Sequence, residues 1–112
     1  MINFSIIVFA VSAVLGLVIL VRWLNKKNAS RIVVYSHGIA AAAALVSLIY
    51  YAIEHPSDFP MVSLILFVLA ALVGFYMFAL DMKKQDVPIG IAVAHGIVAV
   101  LAFVGLLIFA FA

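Results

Sequence analysis

The sequence predicts an all-α membrane protein: a four-transmembrane-helix bundle made of two parallel helical-hairpin repeats. Three observations lead to this fold class. Hydrophobic residues make up 71% of the 112 residues and charged residues only 9%, which is too little polar surface to cover a water-soluble globule. The apolar residues form four long runs, and the second half of the chain repeats the first. We therefore expect one domain over residues 1–112, with hairpin repeats at 1–54 and 59–112.

Each apolar run is long enough to cross a bilayer as a helix. A helix rises ~1.5 Å per residue, so ~20 residues span the ~30 Å of hydrocarbon. The first run lacks a basic segment before Ile6, and it is too long for the apolar h-region of a typical signal peptide. All three prolines lie at or beyond the ends of the runs, and no β-barrel alternation is present. The four runs are Ile2–Val21, Ile32–Ile53, Met61–Leu80 and Val87–Ala112.

The distribution of charge predicts the orientation of the chain. All six basic residues lie beside the first and third connections, whereas the middle connection, residues 54–58, carries two carboxylates and no Lys or Arg. The positive-inside rule then predicts cytoplasmic first and third connections and both termini outside the cytoplasm, in a bacterial inner membrane. The net charge of +2 is explained by these topology signals, so no nucleic-acid partner is indicated. The absence of cysteine excludes disulfides and thiolate metal sites.

The repeat is clearest in the second and fourth runs. Residues 36–52 align with 94–110 at a constant offset of 58, with 8 of 17 positions identical, and both segments begin with a His-Gly pair. Five of the identities share one helical stripe. The first and third runs match more weakly, through Ala13/Ala71, Gly16/Gly74 and Lys26/Lys84. Because each hairpin crosses the membrane twice, the halves share one orientation and are related by a pseudo-twofold axis along the membrane normal.

The two histidines of the repeat are the candidate functional residues. His37 follows Arg31 by six residues and His95 follows Pro88 by seven, so both lie ~9–11 Å below the cytoplasmic ends of their helices. Ionisable residues inside a membrane are rare and commonly functional. The alternative is structural: a neutral histidine bonded to a serine or to a backbone carbonyl.

The number of donors favours haem over a bare metal ion. Zinc takes four ligands, whereas haem iron needs only two axial ligands from the protein. His55 cannot complete a larger set, because it lies 18 residues beyond His37, or ~27 Å away on the opposite membrane face. Gly38, Gly96 and the neighbouring alanines leave space for a flat macrocycle, although close helix packing also explains the alanines.

The four-helix plan and the elements His37-Gly38 and His95-Gly96 resemble the membrane-integral b-type cytochromes. The resemblance implies one haem b per chain, with His37 and His95 as the iron ligands, Gly38 and Gly96 beside the cofactor, and Arg31 as the best partner for a propionate. Members of that group often carry two haems held by four histidines, whereas this chain has one intramembrane pair. The implied function is electron transfer, with quinol oxidation or dioxygen reduction as the oxidoreductase reactions to consider and a quinone or another redox protein as partner.

Two other functions stay open. A histidine-based proton-coupled transporter is one, since imidazole titrates near neutral pH. Chains of this size occur in the small multidrug-resistance family, but the embedded glutamate of its first helix has no counterpart here. The other is a structural membrane subunit with a histidine-stabilised interface. Small residues spaced four apart, such as Ala40/Ala44, also predict a homodimer.

Overall fold

The computed structural model describes residues 2–112, which form four antiparallel helices and no strand. All four are long and apolar enough to cross a membrane, so the predicted all-α, four-transmembrane-helix fold is confirmed. The helices are α1 (Ile2–Leu24), α2 (Arg31–Glu54), α3 (Met61–Met82) and α4 (Ile89–Phe111).

The two hairpins end their first helices in the same way. Lys26 and Lys84 occupy equivalent positions of the repeat and adopt left-handed backbone conformations, with φ of 58° and 56°. Each closes a Schellman motif, in which Lys27 N–H bonds Arg22 O at 2.9 Å and Gln85 N–H bonds Leu80 O at 2.9 Å. These turns satisfy the last carbonyls of α1 and α3 and send the chain back into the membrane.

The helices form a ring in which each hairpin is a closely packed pair. Helices α1 and α2 make the most extensive contact, followed by α3 and α4. The hairpins meet through α1 with α4 and, most loosely, through α2 with α3. Helices α1 and α3 therefore face each other diagonally across the centre, as do α2 and α4, which is the arrangement expected of two parallel hairpin repeats.

The buried core is built from repeat-related pairs. Its six central residues are three pairs separated by 58 positions: Phe9/Phe67, Ala44/Ala102 and Leu48/Leu106. Ser5 and Ser63, a fourth such pair, are also buried, and the Ser5 hydroxyl donates to the carbonyl of Ala44 at 3.3 Å. Large apolar side chains cover the outside of the bundle, as lipid contact requires. The chain is an integral membrane protein with its best-packed core in the half away from the histidines.

Candidate functional site: the paired histidines

The bundle brings His37 and His95 together across its centre. Each lies six residues after the first residue of its helix, on α2 and α4 respectively, so the two rings are at the same depth. Their ring centroids are 6.3 Å apart, and the ring planes are inclined at 79°. Both residues are half-buried. The predicted pairing of two imidazoles at matching depth is therefore present in the fold.

Backbone carbonyls fix the protonation pattern of both rings. The Nδ1 atom of His37 donates to the carbonyl of Ser12 at 2.8 Å, and Nδ1 of His95 donates to the carbonyl of Ala70 at 2.8 Å. Ser12 and Ala70 are themselves separated by 58 residues. Because a carbonyl oxygen only accepts, each Nδ1 carries the proton, and the lone pair of each neutral ring lies on Nε2. The repeat thus leaves the unprotonated nitrogen of both rings at Nε2.

Ser12 makes the environments of the two histidines different. Its hydroxyl lies 3.1 Å from Nδ1 of His37 and donates to the His37 carbonyl at 3.2 Å. The equivalent residue in the second hairpin is Ala70, which contributes its carbonyl but has no hydroxyl. His37 is consequently tied to α1 by more hydrogen bonds than tie His95 to α3.

Small residues line α1 and α3 at the level of the imidazoles. The inward stripe of each helix has a large residue, two small residues and a second large residue, at positions i, i+3, i+7 and i+10. The large residues are ~15 Å apart along the helix axis, and the imidazoles lie between them. The two stripes are Phe9, Ser12, Gly16 and Ile19 on α1, and Phe67, Ala70, Gly74 and Met77 on α3. The interior is therefore lined by short side chains where the histidines meet.

In each hairpin a glycine of the first helix packs against the histidine of the second. These glycines are Gly16 of α1, beside His37, and Gly74 of α3, beside His95. A Cβ added at Gly16 would lie 2.8 Å from Cε1 of His37, and one added at Gly74 would lie 3.3 Å from Cε1 of His95. By contrast, a Cβ at Gly38 or Gly96 would have no atom of another described helix within 4 Å. A cofactor contact for Gly38 and Gly96 stays a prediction.

The inward stripe could have been found from the sequence. The offset of 58 that relates the histidines also relates identical residues of α1 and α3. Gly16/Gly74 is one of these matches, and Ser5/Ser63 and Phe9/Phe67 are others. Ser5, Phe9 and Gly16 follow one another at spacings of four and seven residues, which places them on one helical face. That face is the one turned towards the histidines.

Arg31 is engaged by a carboxylate. Its guanidinium donates to Oδ2 of Asp81 at 2.7 Å and to the Asp81 carbonyl at 3.3 Å, joining the start of α2 to the end of α3. The side chains are 44% and 26% exposed, so the ion pair lies at the surface of the bundle end. A propionate would have to compete with Asp81 for this cation, and the predicted role of Arg31 in cofactor binding stays a prediction.

His55 lies at the opposite end of the bundle, as the spacing predicts. Its ring stacks on Tyr51 with centroids 4.2 Å apart, and its Nδ1 donates to the Tyr51 carbonyl at 3.0 Å. Within residues 2–112, no group of three or more His, Asp or Glu side chains could hold a metal ion. The described residues therefore provide no larger His and carboxylate cluster to which His37 and His95 could belong.

Comparison with protein-family models, with curated proteins and with solved structures found no match to this chain.

Proposed function

We propose that His37 and His95 bind one b-type haem through their Nε2 atoms and that the chain transfers electrons within a membrane. The observation that carries this proposal is the pair of Nδ1–H···O=C bonds, to Ser12 and Ala70. Metal-ligating histidines usually donate their other ring N–H to a carbonyl or carboxylate, which fixes the tautomer and orients the ring. Both histidines already meet this requirement.

The spacing of the rings is compatible with one metal between them. Two metal–nitrogen bonds of ~2 Å, added to the ~1 Å from each ring centre to its nitrogen, give about 6 Å between the centroids. The centroids are 6.3 Å apart. Two protein donors suffice for an iron porphyrin, whose macrocycle supplies four nitrogens, but not for a tetrahedral zinc site.

The short side chains beside the imidazoles also support a macrocycle. A porphyrin held by His37 of α2 and His95 of α4 would be bordered by α1 and α3. Ser12 and Gly16 lie on that side of α1, and Ala70 and Gly74 on that side of α3. In this proposal, Phe9 and Phe67 close the space on one side, because both are buried about one turn away.

The haem, when bound, supplies a one-electron couple between ferric and ferrous iron. His37 and His95 would hold it, and basic residues at the same end of the bundle, including Arg31, would meet its propionates. The membrane-soluble electron donor in this proposal is a quinol, with dioxygen or a redox protein as acceptor. We further propose a homodimer in a bacterial inner membrane, with both termini outside the cytoplasm; the charge distribution supports this orientation.

A structural role is the second candidate, and one observation favours it. Each histidine bonds the partner helix of its own hairpin: His37 joins α2 to α1, and His95 joins α4 to α3. Hydrogen bonds between transmembrane helices contribute ~0.6–2 kcal/mol each, so these rings can stabilise the hairpins without any cofactor.

Absorption spectra of the purified protein distinguish the two candidates. Haem binding predicts a Soret band and reducible α and β bands after expression with ample haem. His37→Ala and His95→Ala should abolish the low-spin spectrum, whereas the matched variant His55→Ala should keep it. A colourless wild-type protein that is less thermally stable after His37→Ala or His95→Ala, but not after His55→Ala, would overturn the cytochrome proposal and support the structural role.

A further inference from the structure

A groove on the outside of the second hairpin leads to one histidine of the pair. It runs between α3 and α4, has a volume of about 480 Å³, and is lined by nine of the described residues. Seven of the nine are apolar, and the other two are Tyr76 and His95. Because both helices cross the membrane, the groove opens towards lipid. A second groove is lined by Phe4 of α1 and by six residues of α2 between Ile39 and Tyr50, and it does not include His37.

His37 is enclosed more tightly than His95 by its partner helix. The Gly16 backbone packs so closely that an added Cβ would lie 2.8 Å from Cε1 of His37, compared with 3.3 Å between Gly74 and His95. Ser12 adds a hydroxyl 3.1 Å from Nδ1 of His37, which the second hairpin lacks. Helices α1 and α2 also pack together more extensively than α3 and α4. These features distinguish His37 from His95, although the two residues occupy equivalent positions of the repeat.

We infer that the two histidines have unequal roles: His37 is the fixed member, and His95 is the member that a small, uncharged, membrane-soluble molecule reaches through the groove between α3 and α4. The ligand must be uncharged because the apolar lining cannot compensate the desolvation of a charge. Nδ1 of His95 already donates to Ala70, so Nε2 is the ring nitrogen that remains to be reached. In a haem-bound form, which rests on the proposed function, His37 would be the ligand that stays in place and His95 the one with which such a molecule would compete.

The first test needs no haem. Diethylpyrocarbonate is a small uncharged anhydride that acylates a neutral imidazole. The ring nitrogen attacks one carbonyl, the C–O bond to the ethyl carbonate group breaks, and that group takes up the ring proton and decomposes to ethanol and carbon dioxide. Modification rates at each histidine of the full chain in lipid nanodiscs can be measured by peptide mass spectrometry. We expect His95 to react several-fold faster than His37, with exposed His55 as the internal reference.

Two matched substitutions tie the reactivity to the groove. Ala94→Phe places a ring in the groove lining and should lower the rate at His95 several-fold while leaving His37 and His55 unchanged. Ala43→Phe makes the same change in the lining of the other groove and should leave His95 unaffected. Ser12→Ala removes the additional hydroxyl and should raise the rate at His37. Equal rates at His37 and His95 in the wild-type protein, or an Ala94→Phe variant with an unchanged His95 rate, would overturn the inference.

The second test uses the haem-loaded protein and carbon monoxide as the probe. Addition to the ferrous protein should give a carbon monoxide difference spectrum, and Ala94→Phe should slow its appearance relative to Ala43→Phe. No change of spectrum at saturating carbon monoxide would overturn the unequal roles of His37 and His95 in a haem-bound form. A protein without a Soret band would instead refute the proposed haem function, and the anhydride rates would still decide whether His95 is the accessible histidine.

Discussion

The rings of Phe9 and Phe67 stack face to face, with centroids 3.8 Å apart and planes only 5° from parallel. They occupy equivalent positions in the two hairpins and meet across the centre, between α1 and α3. His37 and His95 meet across the other diagonal. On both diagonals of the bundle a residue thus contacts its counterpart 58 positions away, as expected for two hairpin repeats related by a pseudo-twofold axis.

Truncation of either phenylalanine should destabilise the bundle by a similar amount. Phe9→Ala and Phe67→Ala each remove one half of the same stack, and both rings are buried. We expect a loss of about 1–3 kcal/mol, less than in a soluble core because lipid replaces water as the alternative environment. Thermal unfolding in detergent would measure the loss, and Phe4→Ala, at a lipid-exposed position, serves as the control.

The double variant provides the sharper measurement. Since each substitution removes the same ring–ring contact, Phe9→Ala combined with Phe67→Ala should cost less than the sum of the single losses. Additive losses, or a loss at Phe4→Ala as large as that at Phe9→Ala, would contradict a stack that joins the two hairpins.

The glycines beside the histidines should be more sensitive to substitution than those that follow them in sequence. Gly16→Ala brings a Cβ within 2.8 Å of the His37 ring, which must then shift, whereas Gly74→Ala gives an approach of 3.3 Å. Gly38→Ala and Gly96→Ala meet no atom of another described helix within 4 Å. We expect thermal stability and haem retention to decrease most for Gly16→Ala, less for Gly74→Ala and least for the other two. A larger loss for Gly96→Ala than for Gly16→Ala would contradict this order.

The fold could be predicted from the sequence because a helix that spans a bilayer needs an apolar run of about 20 residues. Four membrane-length helices and their hairpin pairing follow from apolar run lengths and the offset of 58, and the structure confirms both. The same offset also predicts that His37 and His95 share one depth. Helix length and histidine depth both depend on position along the helix axis, and the number of residues determines that position directly.

The partners of the histidines were harder to predict because they depend on how each helix is rotated about its axis. All four helices are apolar around most of their circumference, so hydrophobic periodicity does not single out an inward face. The Ser12 carbonyl and Gly16 therefore could not be assigned to His37 from spacing alone. The ion pair of Arg31 with Asp81 joins residues 50 positions apart, at the interface of α2 with α3, which is the least extensive of the four helix contacts.

The orientation of the bundle can be tested with single cysteines, because the natural sequence has none. The segregation of Lys and Arg predicts that Ser57 faces outside and Asn28 the cytoplasm. Both residues are exposed in connections between helices. Ser57→Cys should react with a membrane-impermeant thiol reagent in intact cells, whereas Asn28→Cys should react only after permeabilisation. The reverse labelling pattern would show that the connection between α2 and α3 is cytoplasmic.

The ion pair of Arg31 and Asp81 should contribute modestly to stability and depend on salt. Both side chains are partly exposed, and such pairs are typically worth ~0–1 kcal/mol. Arg31→Gln and Asp81→Asn should each lower the thermal stability of the haem-free protein slightly, and the double variant should lose no more than either single variant. The coupling should decrease as ionic strength rises. Lys83→Gln, at an exposed neighbouring position, is the control for loss of a positive charge.

The same two variants separate the structural role of Arg31 from a role in holding a propionate. If Arg31 serves only to join α2 to α3, Arg31→Gln and Asp81→Asn should change haem retention equally, because each breaks the same contact. If Arg31 also binds a propionate, Asp81→Asn frees the guanidinium for the cofactor, and Arg31→Gln removes it. Haem retention should then decrease in Arg31→Gln and be maintained or increase in Asp81→Asn. Equal changes in the two variants would exclude Arg31 from the proposed cofactor site.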